Sequence, residues 1–295
     1  FDDHVSATDR ALGTHLAGAL ARRRLYGDAQ PMSEERGLCA PPANLRTAPA
    51  GHTGAELETA DLLFDAGSVG GNGTGAFMVE PLRMVIEGGA QDGAAKGAFG
   101  GRIAILKGMN QLGQWVDGAV GKGFAYGAMG GLFLVQGNAD SRFCVRLSGA
   151  DVVSAGDIEQ PLDDKAGFLA TRANLKGFAF EYMTAGRAVV LGDPGPWMCA
   201  GMTGGVIYQR LQPDKGLDLA ALRRRIARGD RVQIGRLDAA DEAALRGLLA
   251  IYAEELRIAY QPAEAERILA LAAAPSSFVK IVPAGGLGDQ SEVTE

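Results

Sequence analysis

Gly130-Gly131-Leu132-Phe133-Leu134-Val135-Gln136-Gly137-Asn138 sets a glycine pair ahead of a four-residue apolar run and closes that run with Gly-Asn. Four apolar residues between breakers are too few for a helix and suit a strand buried on both faces. The same grammar recurs on both sides. Runs 102–106, 151–153, 187–191 and 206–208 follow Gly100-Gly101, Gly149, Gly186 and Gly204-Gly205, and Gly70-Gly71 opens the series. Gly71, Gly101 and Gly131 stand 30 residues apart, Gly130 to Gly149 and Gly186 to Gly205 are 19, and Gly149 to Gly186 is 37, nearly twice that step. Self-similarity at such intervals marks a repeat architecture.

Tight Asn-Gly hairpin turns between the runs are missing, which argues against a sandwich. No amphipathic helix interrupts residues 64–210, which argues against a doubly wound sheet. The fold expected is therefore mainly β, a right-handed parallel β-helix (solenoid) with one strand per face, roughly 18 to 30 residues per coil, and α-helical segments at both ends. Gly71, Gly101, Gly131, Gly149, Gly186, Gly204 and Gly205 are its structural rungs, glycine because chain corners need positive φ or close backbone approach. Met129, Met183 and Met202 lie at or before rungs and are expected to stack inside.

Three parts follow. Residues 1–60 form a helical lead-in and connector, with Ser6 or Thr8 as cap, Leu12, Leu16 and Leu20 as one apolar stripe, and prolines 31, 41, 42 and 49 in the connector. Residues 61–210 form the β-helix, interrupted by an insertion at 157–176 whose acids (Asp157, Glu159, Asp163, Asp164) suggest a projecting partner surface. Residues 211–295 form a helical tail, with Leu219, Leu222 and Ile226 in one piece, then 241–259 and 262–273, Pro262 suiting a helix start. Helices at the two ends are expected to cover exposed strand edges.

The chain has 295 residues, 47% hydrophobic and 22% charged, enough to bury a large core. A net charge of -6 argues against a nucleic-acid surface, and no 18-residue apolar stretch offers a membrane span. Cys39, Cys144 and Cys199 are odd in number and far apart, so a reducing cytoplasm is expected, and no export signal is visible.

Catalytic patterns are thin. His4, His15 and His52 all lie in the first 52 residues, with no G-x-S-x-G nucleophile, no C-x-x-C or H-x-x-x-H metal spacing, and no cysteine cluster for an iron–sulfur centre. Glu254-Glu255 and Asp163-Asp164 are adjacent pairs that point apart on a helix and read as solvated. Residues 71–75 (G-N-G-T-G) imitate a dinucleotide loop, but a strand is expected over 77–84 where a helix should follow; residues 118–123 (G-A-V-G-K-G) imitate a P-loop, but Gly123 stands where Ser or Thr should bind magnesium. Both read as corners.

Residues 181–192 (E-Y-M-T-A-G-R-A-V-V-L-G), followed by 200–205 (A-G-M-T-G-G), resemble the carboxy-terminal GXGXG domain of the glutamate synthase large subunit. So do 142–150 (R-F-C-V-R-L-S-G-A), 65–77, 96–102, the lead-in 9–13 and the end of the tail at 278–283. The chain departs from that family's pattern at Leu147, Phe180 and Ala185. The resemblance implies a stand-alone, non-catalytic structural subunit without cofactor of its own. Its implied partners are a glutaminase-type amidotransferase subunit and a flavin and iron–sulfur synthase-like subunit, the latter carrying FMN and the cluster. Related β-helices also serve formylmethanofuran dehydrogenase-type complexes, which is the alternative setting. A self-sufficient carbohydrate-active enzyme would need acids and aromatics clustered on one face, and no acid pair repeats with the rungs.

Overall fold

The computed structural model describes residues 2–3, 6, 8–26, 60–110, 112–166 and 169–285; the expected connector before residue 60, His4, His52 and Cys39 lie outside them. Eleven strands join one sheet. In chain order they are β1 (Asp2–Asp3), β2 (Ala60–Gly70), β3 (Leu82–Ala90), β4 (Phe99–Leu106), β7 (Ala119–Val120), β8 (Gly130–Val135), β9 (Ser148–Ser154), β10 (Ala185–Val190), β11 (Val206–Arg210), β12 (Val232–Gly235) and β13 (Phe278–Pro283). The sheet runs β1-β2-β3-β4-β8-β9-β10-β11-β13-β12, with β7 beside β3, while β5 (Gly108–Met109) and β6 (Trp115–Val116) form a separate antiparallel pair. Every pair from β1 to β11 is parallel, and β13 and β12 then add in antiparallel sense.

The expected strand runs are the ones that pair, and their register is strict. Arg83, Arg102, Leu132, Asp151, Arg187 and Val206 form one row across the sheet. The next row, Met84, Ile103, Phe133, Val152, Ala188 and Ile207, points into one core, and the row after it, Val85, Ala104, Leu134, Val153, Val189 and Tyr208, points into another. Alternation at period two with both faces covered explains the continuous apolar runs. Each fully buried Leu, Ile, Val or Phe contributes about 1.5–3 kcal/mol, so a one-residue slip, which exchanges the two faces, is strongly disfavoured.

Helices supply the second core. Leu12, just ahead of α1 (Thr14–Tyr26), and Leu16 and Leu20 within it pack against the first core, α2 (Leu219–Arg225) follows the last parallel strand, and α3 (Ala239–Ile258) with α4 (Pro262–Ala272) covers the other face through Leu245, Leu249, Tyr252, Leu256 and Ile268. Asp238 starts α3 by a capping box, accepting from the amides of Ala240 and Asp241 while the Asp241 carboxylate accepts from its own. Pro262 opens α4.

The β-helix expectation is corrected by this architecture. The structure is an α/β type, one mixed and mostly parallel sheet with helices, and not a solenoid with a strand on every face. The physical reason lies in segments 73–77, 93–97, 123–127, 142–146, 178–182 and 197–201. Each has positive φ at its first, third and fifth residues, so none can extend into a strand, and each repeat contributes its long strand to a single sheet. Consequently the strand expected over 77–84 begins only at Leu82, with Phe77 held at φ 59°.

Other expectations shift too. Ser6 and Thr8 bond each other, and Ser6 also donates to Asp9, in a turn ahead of α1 that does not cap it. The tail contains β12 and β13 among its helices, and it is this antiparallel pair that covers the edge of β11, while α3 and α4 cover a face. Met183 and Met202 are buried as expected, whereas Met129 is exposed and Met78 takes the inner place.

Candidate functional site

Glycine rungs and charged side chains meet in one place. Gly101, Gly131 and Gly149 floor a groove of about 580 Å³ whose walls carry Glu80, Arg83, Arg102, Leu132 and Asp151. The floor is glycine for a steric reason: these corners have positive φ, and a Cβ on Gly101 would sit 2.6 Å from the Leu82 carbonyl oxygen. Gly186 and Gly205 continue the line in the following repeats, with φ 95° and 84°. Gly71 does not belong to it. Gly70 pairs with Ala90 at the far end of β2, which puts Gly71 beside the start of the first turn segment.

The wall is organised by a residue read from sequence as solvated. Glu255 is 1% exposed on α3 and accepts from Arg83 Nη2 at 2.7 Å and Arg102 Nη1 at 2.6 Å. Burial pushes its carboxyl upward, but the two guanidiniums outweigh burial and hold it below the ordinary range. Next along the row, Arg187 grips Asp151 through two parallel bonds of 2.8 and 2.6 Å. The wall is thus held by charge-assisted ion pairs, Glu255 shared between two guanidiniums and Asp151 clasped by Arg187.

The insertion is also committed inward. Asp164 receives Arg224 and Arg225, and the fully buried Arg225 bridges from Asp164 to buried Asp193 at 2.6 and 2.9 Å. The bond from Arg225 leads the causes that hold the Asp164 carboxyl below its ordinary value. Asp157 faces Arg267 at 3.2 Å, and Ile158 and Leu162 pack on Leu217 and Ala221. The expected projecting acidic loop is therefore a strap fastened to α2.

Nucleophile and phosphate readings find no geometry. Cys144 and Cys199 are fully buried, and burial raises both thiols, the Asp230 charge adding to the effect at Cys199. His15 is exposed on α1. The amides of Gly71, Gly73, Thr74 and Gly75 donate to Asp9, Asp92, Gly71 and Leu12, leaving none of these to cradle a phosphate. The Lys122 amide is held by Asp92 at 2.8 Å in the P-loop imitation. Among the described residues, no group of three or more His, Cys, Asp or Glu is placed to hold a metal ion, and no helix is long and apolar enough to cross a membrane.

Opposite the groove's logic stands a ridge that sequence reasoning missed. The turn segments pair through backbone bonds of alternating direction: Gly93 N donates to Lys122 O, Ala95 N to Thr74 O, and Gly97 N to Tyr126 O, each at 2.8 Å. Inward, Phe124 stacks on Phe143 at a centroid distance of 5.4 Å, and Phe143 meets Phe180 edge to face at 5.8 Å. Outward, at the first and fifth positions, Phe77, Arg142, Arg146, Phe178, Tyr182 and Trp197 all have positive φ, where a bulky residue strains the backbone by roughly 1–2 kcal/mol. Phe178 stacks on Trp197 at 5.0 Å, and Arg146 lies 5.3 Å over the Tyr182 ring. The signal in the sequence was the alternation of glycines at 73 and 75, with its degenerate returns at 93 and 97 and at 123 and 127, masked because only seven of the eighteen left-handed positions are glycine.

Comparison with known proteins places these features in a family context. The family model described as the GXGXG motif matches residues 46–162 and 166–284. The NADH glutamate synthase of Schizosaccharomyces pombe is 30% identical over 279 residues, covering 94% of this chain and 10% of its own. The large chain of the NADPH glutamate synthase of Bacillus subtilis is 33% identical over 54% of this chain and 9% of its own, and a ferredoxin-dependent glutamate synthase of Cyanidium caldarium is 27% identical over 79% of this chain and 12% of its own. The chain thus spans about a tenth of the length of the curated relatives it matches.

Proposed function

Because the chain belongs to the GXGXG family, with glutamate synthases among its relatives, we propose that it is a non-catalytic structural element of a glutamate synthase-like enzyme. Its role is to hold a glutaminase-type amidotransferase and a flavin and iron–sulfur synthase-like partner in fixed relation. FMN and the iron–sulfur cluster belong to that partner, and the setting is cytoplasmic. The observation that carries this reading is the commitment of the charged groups. Glu255, Asp164, Asp193, Arg225 and Asp151 are all tied into internal ion pairs, and they join strands, helices and strap into one rigid unit. A body of this kind suits positioning, where geometry must be kept while chemistry proceeds elsewhere.

The test is reconstitution. Mixed with the two partners, the chain is expected to raise glutamine-dependent glutamate formation well above that of the partners alone, while by itself it binds no stoichiometric flavin and turns over no substrate. Activity that is equal with and without the chain, or turnover by the chain alone, would refute the proposal.

A further inference from the structure

We propose that the outer ridge of the turn segments is the docking surface for an acidic face of the synthase-like partner. This inference rests on the structural role proposed above and assigns that role a side of the molecule. At the first and fifth positions of the segments the fold by itself calls for glycine, and Gly73, Gly93, Gly97, Gly123, Gly127 and Gly201 supply it. Six large residues replace glycine at the remaining positions, and five of them, Arg142, Arg146, Phe178, Tyr182 and Trp197, crowd the last three segments. They gain little from the core in return: Phe77 remains 54% exposed, Trp197 51% and Tyr182 49%. Strained, exposed and aromatic side chains clustered on one side mark a binding surface.

Charge identifies the occupant. Exposed Lys96, Lys122 and Lys176 join Arg142 and Arg146 on this side, five cations against Asp92, Asp140 and Glu181, on a chain whose net charge is -6. A basic, aromatic ridge on an acidic body is complementary to an acidic surface with apolar recesses, and it steers such a partner to one side. About nine-tenths of the length of the curated relatives lies outside the part that this chain matches, so their corresponding module has a large protein body to meet.

Two variants of the full chain test the ridge without threatening the fold. Trp197→Gly relieves a left-handed residue, so its melting temperature is expected to equal or exceed that of the wild type while affinity for the isolated synthase-like partner falls at least tenfold. Arg142→Glu combined with Arg146→Glu is expected to weaken the same affinity at least tenfold at low salt, with the gap to wild type narrowing as salt rises. Wild-type affinity in both variants, with the wild type binding the partner, would overturn the ridge alone and leave the structural role standing. A wild-type chain that does not bind the partner would overturn both.

Discussion

Within one repeat, β4 and the turn segment 93–97 ahead of it meet the same requirement, hydrogen bonding to the neighbouring repeats, by opposite means. The strand is extended, and its side chains alternate between two cores, so almost any apolar residue serves provided its parity is right. The turn segment alternates left-handed and right-handed residues, so every second position strains whatever is not glycine. Position on the strand side is enforced by burial, and on the turn side by backbone conformation. Burial tolerates substitution within a class of residues; conformation does so only at a cost. The strand side therefore carries stability, and the turn side is where departures from glycine stand out as departures.

The contrast breaks most severely where an added Cβ would meet backbone oxygen, at Gly186 with positive φ besides. At Gly204 a Cβ would be driven into the Thr184 carbonyl oxygen, and at Gly186, with φ 95°, into that of Ala150. Gly204→Val or Gly186→Val is expected to cost on the order of 5 kcal/mol, since backbone oxygen cannot move aside. Urea unfolding would show it, and a midpoint within 0.2 M of wild type in both would refute the rung assignment. Next in size is Arg225→Ala. It leaves Asp193 buried without its cation and unfastens the strap, with an expected loss of about 3–5 kcal/mol. Limited proteolysis should then cut within 157–173 sooner than in wild type, and an unchanged cleavage rate would show the strap to be held by other contacts.

The strand layer was legible because short apolar runs between breakers are local signals, and 102–106, 132–135, 151–153, 187–191 and 206–208 all emerged from them. The family was legible from long motifs such as 181–192. The number of strand faces was not. Cys144 and Phe180 adopt φ 56° and 60° with nothing in their chemistry to announce it, so the turn segments read as strands or corners. Nor was the groove wall. Arg102 and Glu255 meet across 153 positions of sequence, and only the docking of α3 on the sheet turns an apparent surface acid into a buried one. The tail strands β12 and β13 were lost among stronger helical patterns, yet they close the sheet.

Glu255 offers an intermediate test, at about 1.5–3 kcal/mol for hydrogen bonds to a charged group, that separates charge from packing. Glu255→Gln keeps the shape and removes the charge that neutralises Arg83 and Arg102. Because the folded carboxyl lies below its ordinary value of 4.5, the folded state binds fewer protons than the unfolded state. Its contribution is thus complete above pH 4.5 and is lost as pH falls through the lower folded value. Asp164 behaves alike from its ordinary 3.8 downward. Wild type is therefore expected to lose stability steeply below pH 4.5, and the Gln variant, less stable at neutral pH, to lose less over that interval. Parallel pH profiles for the two proteins would mean that the Glu255 pair contributes nothing through its charge.

The smallest effect isolates conformation from contact. Gly123 has φ 66°, and a Cβ there meets nothing within 4 Å, whereas Gly186 has both positive φ and an obstructing oxygen. Gly123→Ala should therefore cost only about 1 kcal/mol, the strain of a left-handed alanine, because no neighbour has to shift. Ala95 and Ala125 already occupy the third position of their segments at φ 58° and 52°, which shows that the fold accommodates alanine in this conformation. A cost as large as that of Gly186→Val would mean that the segment cannot accept Cβ even in open space, and the bulky residues of the ridge would then need support that the backbone pattern does not provide. A cost near 1 kcal/mol makes the turn side a tolerant frame, on which large residues can be placed outward at a modest and roughly additive expense.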